Sequence, residues 1–137
     1  MLGLKRNTVK VVPHHPGWLE VGKETCTILR QVAGDYVLDV QHAGSTSVPN
    51  LPSKPIIEIV VPVRSFDVIP ELFNRFTKVD FIYRGDFGGS MGHVFVKESA
   101  PNTVTTIVHV LEEGSGLVEQ YTLFRDALLE NKDLVEQ

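Results

Sequence analysis

The feature of this sequence that most constrains its fold is an apolar run at residues 56–63, which a single acid, Glu58, interrupts. A run of this kind is typical of a central strand, because such a strand is covered on both faces. Burying an ionised carboxylate there is costly unless a cation, a metal ion or hydrogen-bond donors compensate its charge. Glu58 is therefore the first candidate for a functional residue.

A second strand is predicted just before this run. Residues 36–42 alternate between apolar and polar side chains, which is the pattern of a strand with one covered face. That face carries Tyr36, Leu38, Val40 and His42. We expect His42 to be a core histidine with its hydrogen bonds satisfied, the alternative being a ligand-binding role.

A turn of small residues joins the two predicted strands and is rich in hydroxyls and free backbone N–H groups. It consists of Gly44, Ser45, Thr46 and Ser47. Its hydroxyl groups can stabilise a tight turn by hydrogen bonds to the backbone.

Length and composition indicate one domain, residues 1–137, with a single core. A hydrophobic content of 42% and a charged content of 22% are ordinary for a soluble globular chain. The net charge of −4 argues against a broad basic surface for nucleic acid, although a small anionic ligand needs only a local site. The single cysteine, Cys26, excludes an intramolecular disulfide and a cysteine cluster for zinc.

The sequence also carries no sign of a membrane or secretory segment. No apolar run approaches the length of a membrane span, and the first residues lack the apolar core of a signal peptide. We therefore expect a cytoplasmic protein without a membrane-bound part.

Apolar residues at helical spacing predict three helices. The first covers residues 16–34, the second begins after Asp67 as its N-cap, and the third follows Ser115. The predicted inner faces are Trp18, Val21, Ile28, Leu29 and Val32; Val68, Leu72, Phe73 and Phe76; and Leu117, Tyr121, Phe124 and Leu128.

Further strands are predicted at residues 79–83, 94–97 and 103–111. Helices and strands alternate irregularly, and short turns join several strands. This order favours an α+β domain with a mixed β-sheet flanked by helices.

A glycine-dense segment at residues 85–92 matches neither the P-loop pattern nor the dinucleotide-binding fingerprint. We expect it to be a hairpin connection, and the alternative is a lid over a bound ligand. His14 and His15 lie in a turn between two prolines, where exposed loop residues are expected more than metal ligands.

Five motifs carry a resemblance to a known family, the GrpB family. They are Val-Val-Pro-His-His-Pro-Gly-Trp at residues 11–18, His-Ala-Gly-Ser-Thr-Ser-Val-Pro at 42–49, Lys-Pro-Ile-Ile-Glu-Ile at 54–59, Phe-Val-Lys at 95–97 and Leu-Phe-Arg-Asp at 123–126. The resemblance spans nearly the whole chain. It implies a nucleotidyltransferase-like fold of the polymerase β superfamily.

The resemblance also implies a site. In that superfamily a Gly-Ser pair at the end of a strand binds phosphates through backbone amides, and here the pair is Gly44 and Ser45, with Thr46 and Ser47 following. An acid on the next strand holds a divalent metal ion, Mg²⁺ or Mn²⁺, and Glu58 has that position.

The sequence departs from the superfamily pattern at the second acid, two residues further along the strand, where it has Val60. One carboxylate cannot form the two-metal clamp of such transferases. The family also tends to carry a histidine cluster near residues 105–109, of which only His109 is present here.

Charged residues near the candidate site leave alternatives open. Glu58 either forms a structural ion pair with Lys54 or Arg125, or binds a metal ion or ligand. Lys54 could instead neutralise a phosphate as a point charge. Arg125 either binds an anion or ties the last helix to the sheet.

Three functions follow from these alternatives. The first is transfer of a nucleotidyl or phosphoryl group, with Glu58 and His109 as catalytic residues and Mg²⁺ held by Glu58. The second is binding of a nucleotide or phosphorylated small molecule without turnover. The third is a protein-interaction role, for which a homodimer is expected.

Overall fold

The computed structural model describes residues 2–5, 8 and 10–130. These residues form a single α+β domain with three α-helices and six strands. The strands are β1 (Leu4–Lys5), β2 (Gln41–Ala43), β3 (Ile57–Val63), β4 (Ile82–Asp86), β5 (His93–Ala100) and β6 (Thr103–Glu112). The helices are α1 (Gly17–Ala33), α2 (Ile69–Thr77) and α3 (Leu117–Glu130). Within the described ranges, no helix is both long and apolar enough to cross a bilayer.

The strands form one mixed sheet, as the sequence predicts. Its order is β2-β3-β6-β5-β4, and β1 pairs with the beginning of β6. β3 and β6 are parallel, whereas every other pairing in the sheet is antiparallel. This register sets Glu58 beside Ile107 and Val60 beside His109.

The two faces of the sheet are covered unequally. One face carries alternate residues of β3, Ile57, Ile59, Val61 and Val63, which belong to the main core together with buried residues of α1 and α2. On the other face, α3 packs over a small cluster of Ala43, Val60 and Leu111. Glu58 points to this second face beyond that cluster, and its side chain is 35% exposed. The candidate site lies on the part of the second face that α3 does not cover.

The strand predicted at residues 36–42 is wrong in its first half. A 3₁₀ turn at Gly34–Tyr36 follows α1, and pairing with β3 begins only at Gln41. Tyr36 and Leu38 are consequently exposed at 42% and 43%, whereas Val40 is fully buried. Leu38 donates its N–H to the Pro62 carbonyl of β3 at 2.9 Å, but regular strand pairing with β3 covers only the three residues of β2.

The helices lie close to where the spacing predicts them, with local differences. Asp67 is not the N-cap of α2, since its backbone N–H donates to the Ser65 hydroxyl and a 3₁₀ turn precedes the helix. Three residues predicted to face inward, Ile28, Phe73 and Phe124, are 40%, 45% and 55% exposed. Helical spacing predicts which residues form the apolar face of a helix. The elements that pack against the helix determine how much of that face is buried.

The glycine-dense segment is a hairpin connection, as expected. It joins β4, which begins at Ile82 and not at residue 79, to the antiparallel strand β5. The turn is closed by backbone hydrogen bonds from Phe87 to Gly92 and from Met91 to Gly88, of 2.9 and 3.1 Å.

α1 contacts β2 through a glycine. A Cβ atom at Gly22 would overlap the imidazole ring of His42, so only glycine permits this approach. The Nε2 atom of His42 shares a hydrogen bond of 2.9 Å with the Thr46 hydroxyl. His42 is thus a largely buried histidine with a protein partner, which agrees with the expected core role.

Burial, followed by the positive charges of Arg125 and of protonated His14, lowers the pKa of His42 to about 4, while the negative charge of Glu58 opposes this shift. A neutral imidazole in the folded state therefore binds fewer protons than the same group in the unfolded chain, whose pKa is near 6.5.

We expect the free energy of unfolding to fall as the pH falls from about 6.5 towards 4, by up to about 3 kcal/mol from His42. Urea unfolding of the wild type and of His42→Gln at a series of pH values measures this contribution. The difference between the two proteins should vary across this window and be constant above pH 7.5. Equal pH profiles would contradict the assignment.

Candidate functional site

An open cleft lies on the uncovered part of the second sheet face. It consists of two hollows of about 500 and 330 Å³ that meet at Ser45 and Glu58. Lys5, Ser53, Lys54 and Ile107 are among the residues that line the larger hollow. The smaller hollow is lined by Gly44, Ser90, Gln120, Tyr121 and Phe124 together with the two shared residues. Volumes of this size are typical of small-molecule sites.

Glu58 lies at the junction of the two hollows, next to His109. The Oε1 atom of Glu58 is 3.4 Å from the Nε2 atom of His109. The His109 ring is 1% exposed, and its Nδ1 atom is 3.1 Å from the carbonyl oxygen of Met91. Its ring also stacks on Tyr121 at a centroid distance of 5.2 Å. The structure therefore pairs Glu58 with His109, and not with Lys54 or Arg125 as the ion-pair alternative expected.

The backbone of the turn makes the other contact of the Glu58 carboxylate. Gly44 has a φ of +69°, and a Cβ atom there would overlap the Oε2 atom of Glu58 and lie 3.1 Å from its Cδ atom. Glycine satisfies both conditions: with a ψ of −174° the backbone lies in a region that other residues rarely adopt, and the close approach leaves no room for a Cβ atom. Gly44 therefore brings the turn directly against the carboxylate.

The hydroxyl groups of the turn serve different roles. The Ser47 hydroxyl donates to the Gly44 carbonyl at 2.6 Å, and the Thr46 hydroxyl bonds to His42. Both side chains are buried, whereas Ser45 lines both hollows. The N–H groups of Ser47 and Val48 close the turn by bonding to the carbonyls of Gly44 and Ser45. The expected stabilisation of a tight turn is thus present, and Gly44 and Ser45 are the members that face the cleft.

The two basic candidates are placed differently. Lys54 is exposed and lines the larger hollow together with Glu58. The guanidinium of Arg125 donates to Gln41 Oε1 at 2.9 Å, to the His42 carbonyl at 3.1 Å and to Asp126 at 2.9 Å. Arg125 therefore ties α3 to β2, and it does not line either hollow.

Sequence reasoning did not name the cleft residues of α3 and of the β4–β5 connection as site residues: Ser90, Gln120, Tyr121 and Phe124. The Tyr121 hydroxyl donates to the Ser90 carbonyl at 2.8 Å, and the neighbouring Met91 carbonyl contacts His109. Burial and the negative charge of Glu58 raise the pKa of Tyr121, which keeps its hydroxyl a donor. The glycine-dense segment at residues 85–92 was the sequence feature that could have indicated this contribution, because a lid over a ligand was one of its two interpretations.

The residues present fit one divalent cation and not two. In the part of the chain that the structure describes, no group of three or more histidine, cysteine, aspartate or glutamate side chains is arranged to hold a metal ion. Val60, at the position of the second acid, is fully buried under α3. One carboxylate together with phosphate oxygens and water still suits Mg²⁺, which is commonly bound in this way.

Comparison with known proteins identifies the family. The family model described as GrpB protein matches residues 8–137. The chain belongs to the GrpB family. A crystal structure of the conserved protein GrpB from Enterococcus faecalis superimposes with a TM-score of 0.81 and 32% identity, covering 93% of this chain and 76% of that one. This likeness supports the α+β architecture described above.

Curated relatives include longer proteins. The chain is 31% identical to the glutamate-rich protein GrpB of Alkalihalophilus pseudofirmus, over 96% of this chain and 77% of the relative. It is 28% identical to YqkA of Bacillus subtilis, but spans only 38% of that protein. A shorter match joins half of this chain to 18% of a dephospho-CoA kinase from Mycobacterium tuberculosis, at 35% identity.

Gly44→Ala should destabilise the fold more than Gly88→Ala, by about 1–3 kcal/mol. The two glycines have φ angles of +69° and +67°, but nothing lies within 4 Å of a Cβ atom at Gly88. Both variants place alanine at a positive φ, but Gly44 also has a ψ of −174°, which residues other than glycine rarely adopt there, and only Gly44→Ala adds the overlap with Glu58. Guanidinium unfolding measures the difference, and equal destabilisation would show that the turn does not press against the carboxylate.

Proposed function

We propose that this protein binds a nucleotide or another phosphorylated small molecule in the cleft, with a divalent cation held at Glu58. The observation that carries the proposal is the junction at Ser45 and Glu58, where a glycine-containing turn, a carboxylate and a lysine-lined hollow meet. The sequence resemblance, through the nucleotidyltransferase-like fold that it implies, favours the same ligand class.

The larger hollow suits the anionic part of such a ligand. Lys5 and Lys54 line it, and cationic side chains bind phosphate by charge-assisted hydrogen bonds. Ser45 adds a hydroxyl at the junction, and the first N–H groups of a 3₁₀ turn have no partner within that turn. Fixed amide dipoles of this kind favour an anion.

The smaller hollow suits an uncharged or aromatic part of the ligand. Tyr121 and Phe124 line it, and Phe124 is 55% exposed although it is a large apolar side chain. Gln120 and the Ser90 region add hydrogen-bonding groups. An aromatic ring beside an amide is a common surface for a planar base. A ligand that spans the junction would therefore place its phosphates next to Glu58.

A cation at Glu58 would supply charge neutralisation for the phosphate oxygens. The carboxylate is fixed against Gly44 on one side and lies beside His109 on the other, and its partial exposure leaves it accessible from the cleft. The chain's own residues thus hold the anion, the cation and the adjoining part of the ligand in one place.

Transfer of a nucleotidyl or phosphoryl group is the second candidate function. The Glu58–His109 pair favours it, because a carboxylate beside an imidazole at a ligand junction can position and move a proton. Val60 argues for one metal ion and against the two-metal reaction of the superfamily. Incubation with a nucleoside triphosphate tests this candidate, and turnover that persists in Glu58→Gln would exclude it.

Thermal unfolding with nucleotides and phosphosugars, each with and without Mg²⁺ or Mn²⁺, tests the binding proposal. A ligand at about 100 times its Kd should raise the free energy of unfolding by about 2.7 kcal/mol, which is a shift of several degrees. We expect Lys54→Ala to reduce this shift, because it removes a charge from the larger hollow.

Lys78→Ala is the matched control for that experiment. It removes the same charge from an exposed position next to α2, in a separate hollow lined by Glu71 and Arg75. The wild-type ligand shift should persist in this variant. No shift with any phosphorylated compound, or equal loss in both lysine variants, would refute the proposed site.

A further inference from the structure

The hydrogen bonds of His109 determine which of its nitrogens carries a proton. The Nδ1 atom lies 3.1 Å from the Met91 carbonyl oxygen, which can only accept. Nδ1 must therefore be the donor. In the neutral imidazole this leaves Nε2 with a lone pair, and that lone pair points at the Oε1 atom of Glu58.

Two hydrogen-bond acceptors consequently face one another at the junction of the cleft. A proton or a metal ion between the two atoms would remove the repulsion of their lone pairs. A shared proton between an imidazolium and a carboxylate draws the two atoms to about 2.7–2.9 Å. The observed separation is 3.4 Å, at the long limit for such a contact.

The separation suits two ligands of one metal ion. Ligand atoms that are each about 2.1 Å from a shared ion lie roughly 3.0–3.4 Å apart. A metal-binding histidine also commonly donates its other ring N–H to a backbone carbonyl, which fixes the ring, and the Met91 carbonyl has this role for His109. Stacking on Tyr121 holds the ring in the same orientation.

From this geometry we propose that Glu58 Oε1 and His109 Nε2 together bind one divalent transition-metal ion of the Zn²⁺ class. Imidazole nitrogen favours such ions, whereas Mg²⁺ prefers oxygen ligands throughout. Two protein ligands leave positions for water and for phosphate oxygens from the cleft. The inference deepens the proposed function and rests on it for those remaining ligands.

Calorimetric titration of the metal-free protein with Zn²⁺ and with Mg²⁺ tests this inference, in the presence and absence of inorganic phosphate. We expect one Zn²⁺ per chain, bound at least tenfold more tightly than Mg²⁺. Glu58→Gln and His109→Gln should each weaken Zn²⁺ binding at least tenfold. Glu58 is partly exposed, so its variant keeps the test meaningful if the buried His109 variant does not fold.

His15→Gln is the matched control, because His15 is an exposed histidine in the N-terminal turn and does not line the cleft. Its Zn²⁺ affinity should equal that of the wild type. A loss of binding in this variant, with binding retained in His109→Gln, would place the ion elsewhere and overturn the inference.

Nitrogen-15 spectra of the histidine rings separate an ion from a proton. With one equivalent of Zn²⁺ at pH 7.5, the Nε2 resonance of His109 should shift while Nδ1 keeps its proton. Protons on both nitrogens under these conditions would overturn the inference. If nucleotides still stabilise the protein when Zn²⁺ does not bind, the proposed function stands without this cation; if Zn²⁺ binds and no phosphorylated compound does, the cation site stands alone.

Discussion

The candidate site depends on a central strand of the sheet, β3, that accommodates the carboxylate of Glu58. Glu58 lies in β3 between two paired strands, yet its charge is not sealed in the core. Gly44 has no side chain, so the turn can approach one carboxylate oxygen, and His109 lies beside the other. The remaining surface of the side chain opens to the cleft. The partly exposed carboxylate thus avoids the full cost of burying a charge, and a partner can reach it from the cleft.

The sheet makes this possible by using its two faces differently. Alternate residues of β3 point to α1 and α2, and these form the main core that stabilises the domain. The opposite face is covered by α3 only over Ala43, Val60 and Leu111. Arg125 fixes α3 to β2, and Tyr121 fixes it to the β4–β5 connection. α3, which borders the cleft, is therefore held at two places by side-chain hydrogen bonds.

The periodicity of the sequence predicted the elements well and their partners poorly. The central strand and α1 were confirmed almost to the residue, because long apolar patterns and a glycine stop are local signals. The first half of the strand predicted at residues 36–42 was wrong, since an alternating pattern does not reveal whether a neighbour is present to pair with. Glu58 and His109 were both named as catalytic residues, but their direct contact was not predicted. His109 is far along the chain, and only the parallel pairing of β3 with β6 brings the two together.

The sequence by itself determined the α+β class, the small-residue turn and the unusual acid, because composition and local spacing encode them directly. It also carried the resemblance to the GrpB family through motifs that span the chain. Only the tertiary structure decided that Arg125 ties a helix to the sheet, that Thr46 and Ser47 point inward, and that Ser45 faces the cleft. Those outcomes depend on contacts between residues distant in sequence, and the packing of the sheet faces, not local propensity, selects among them.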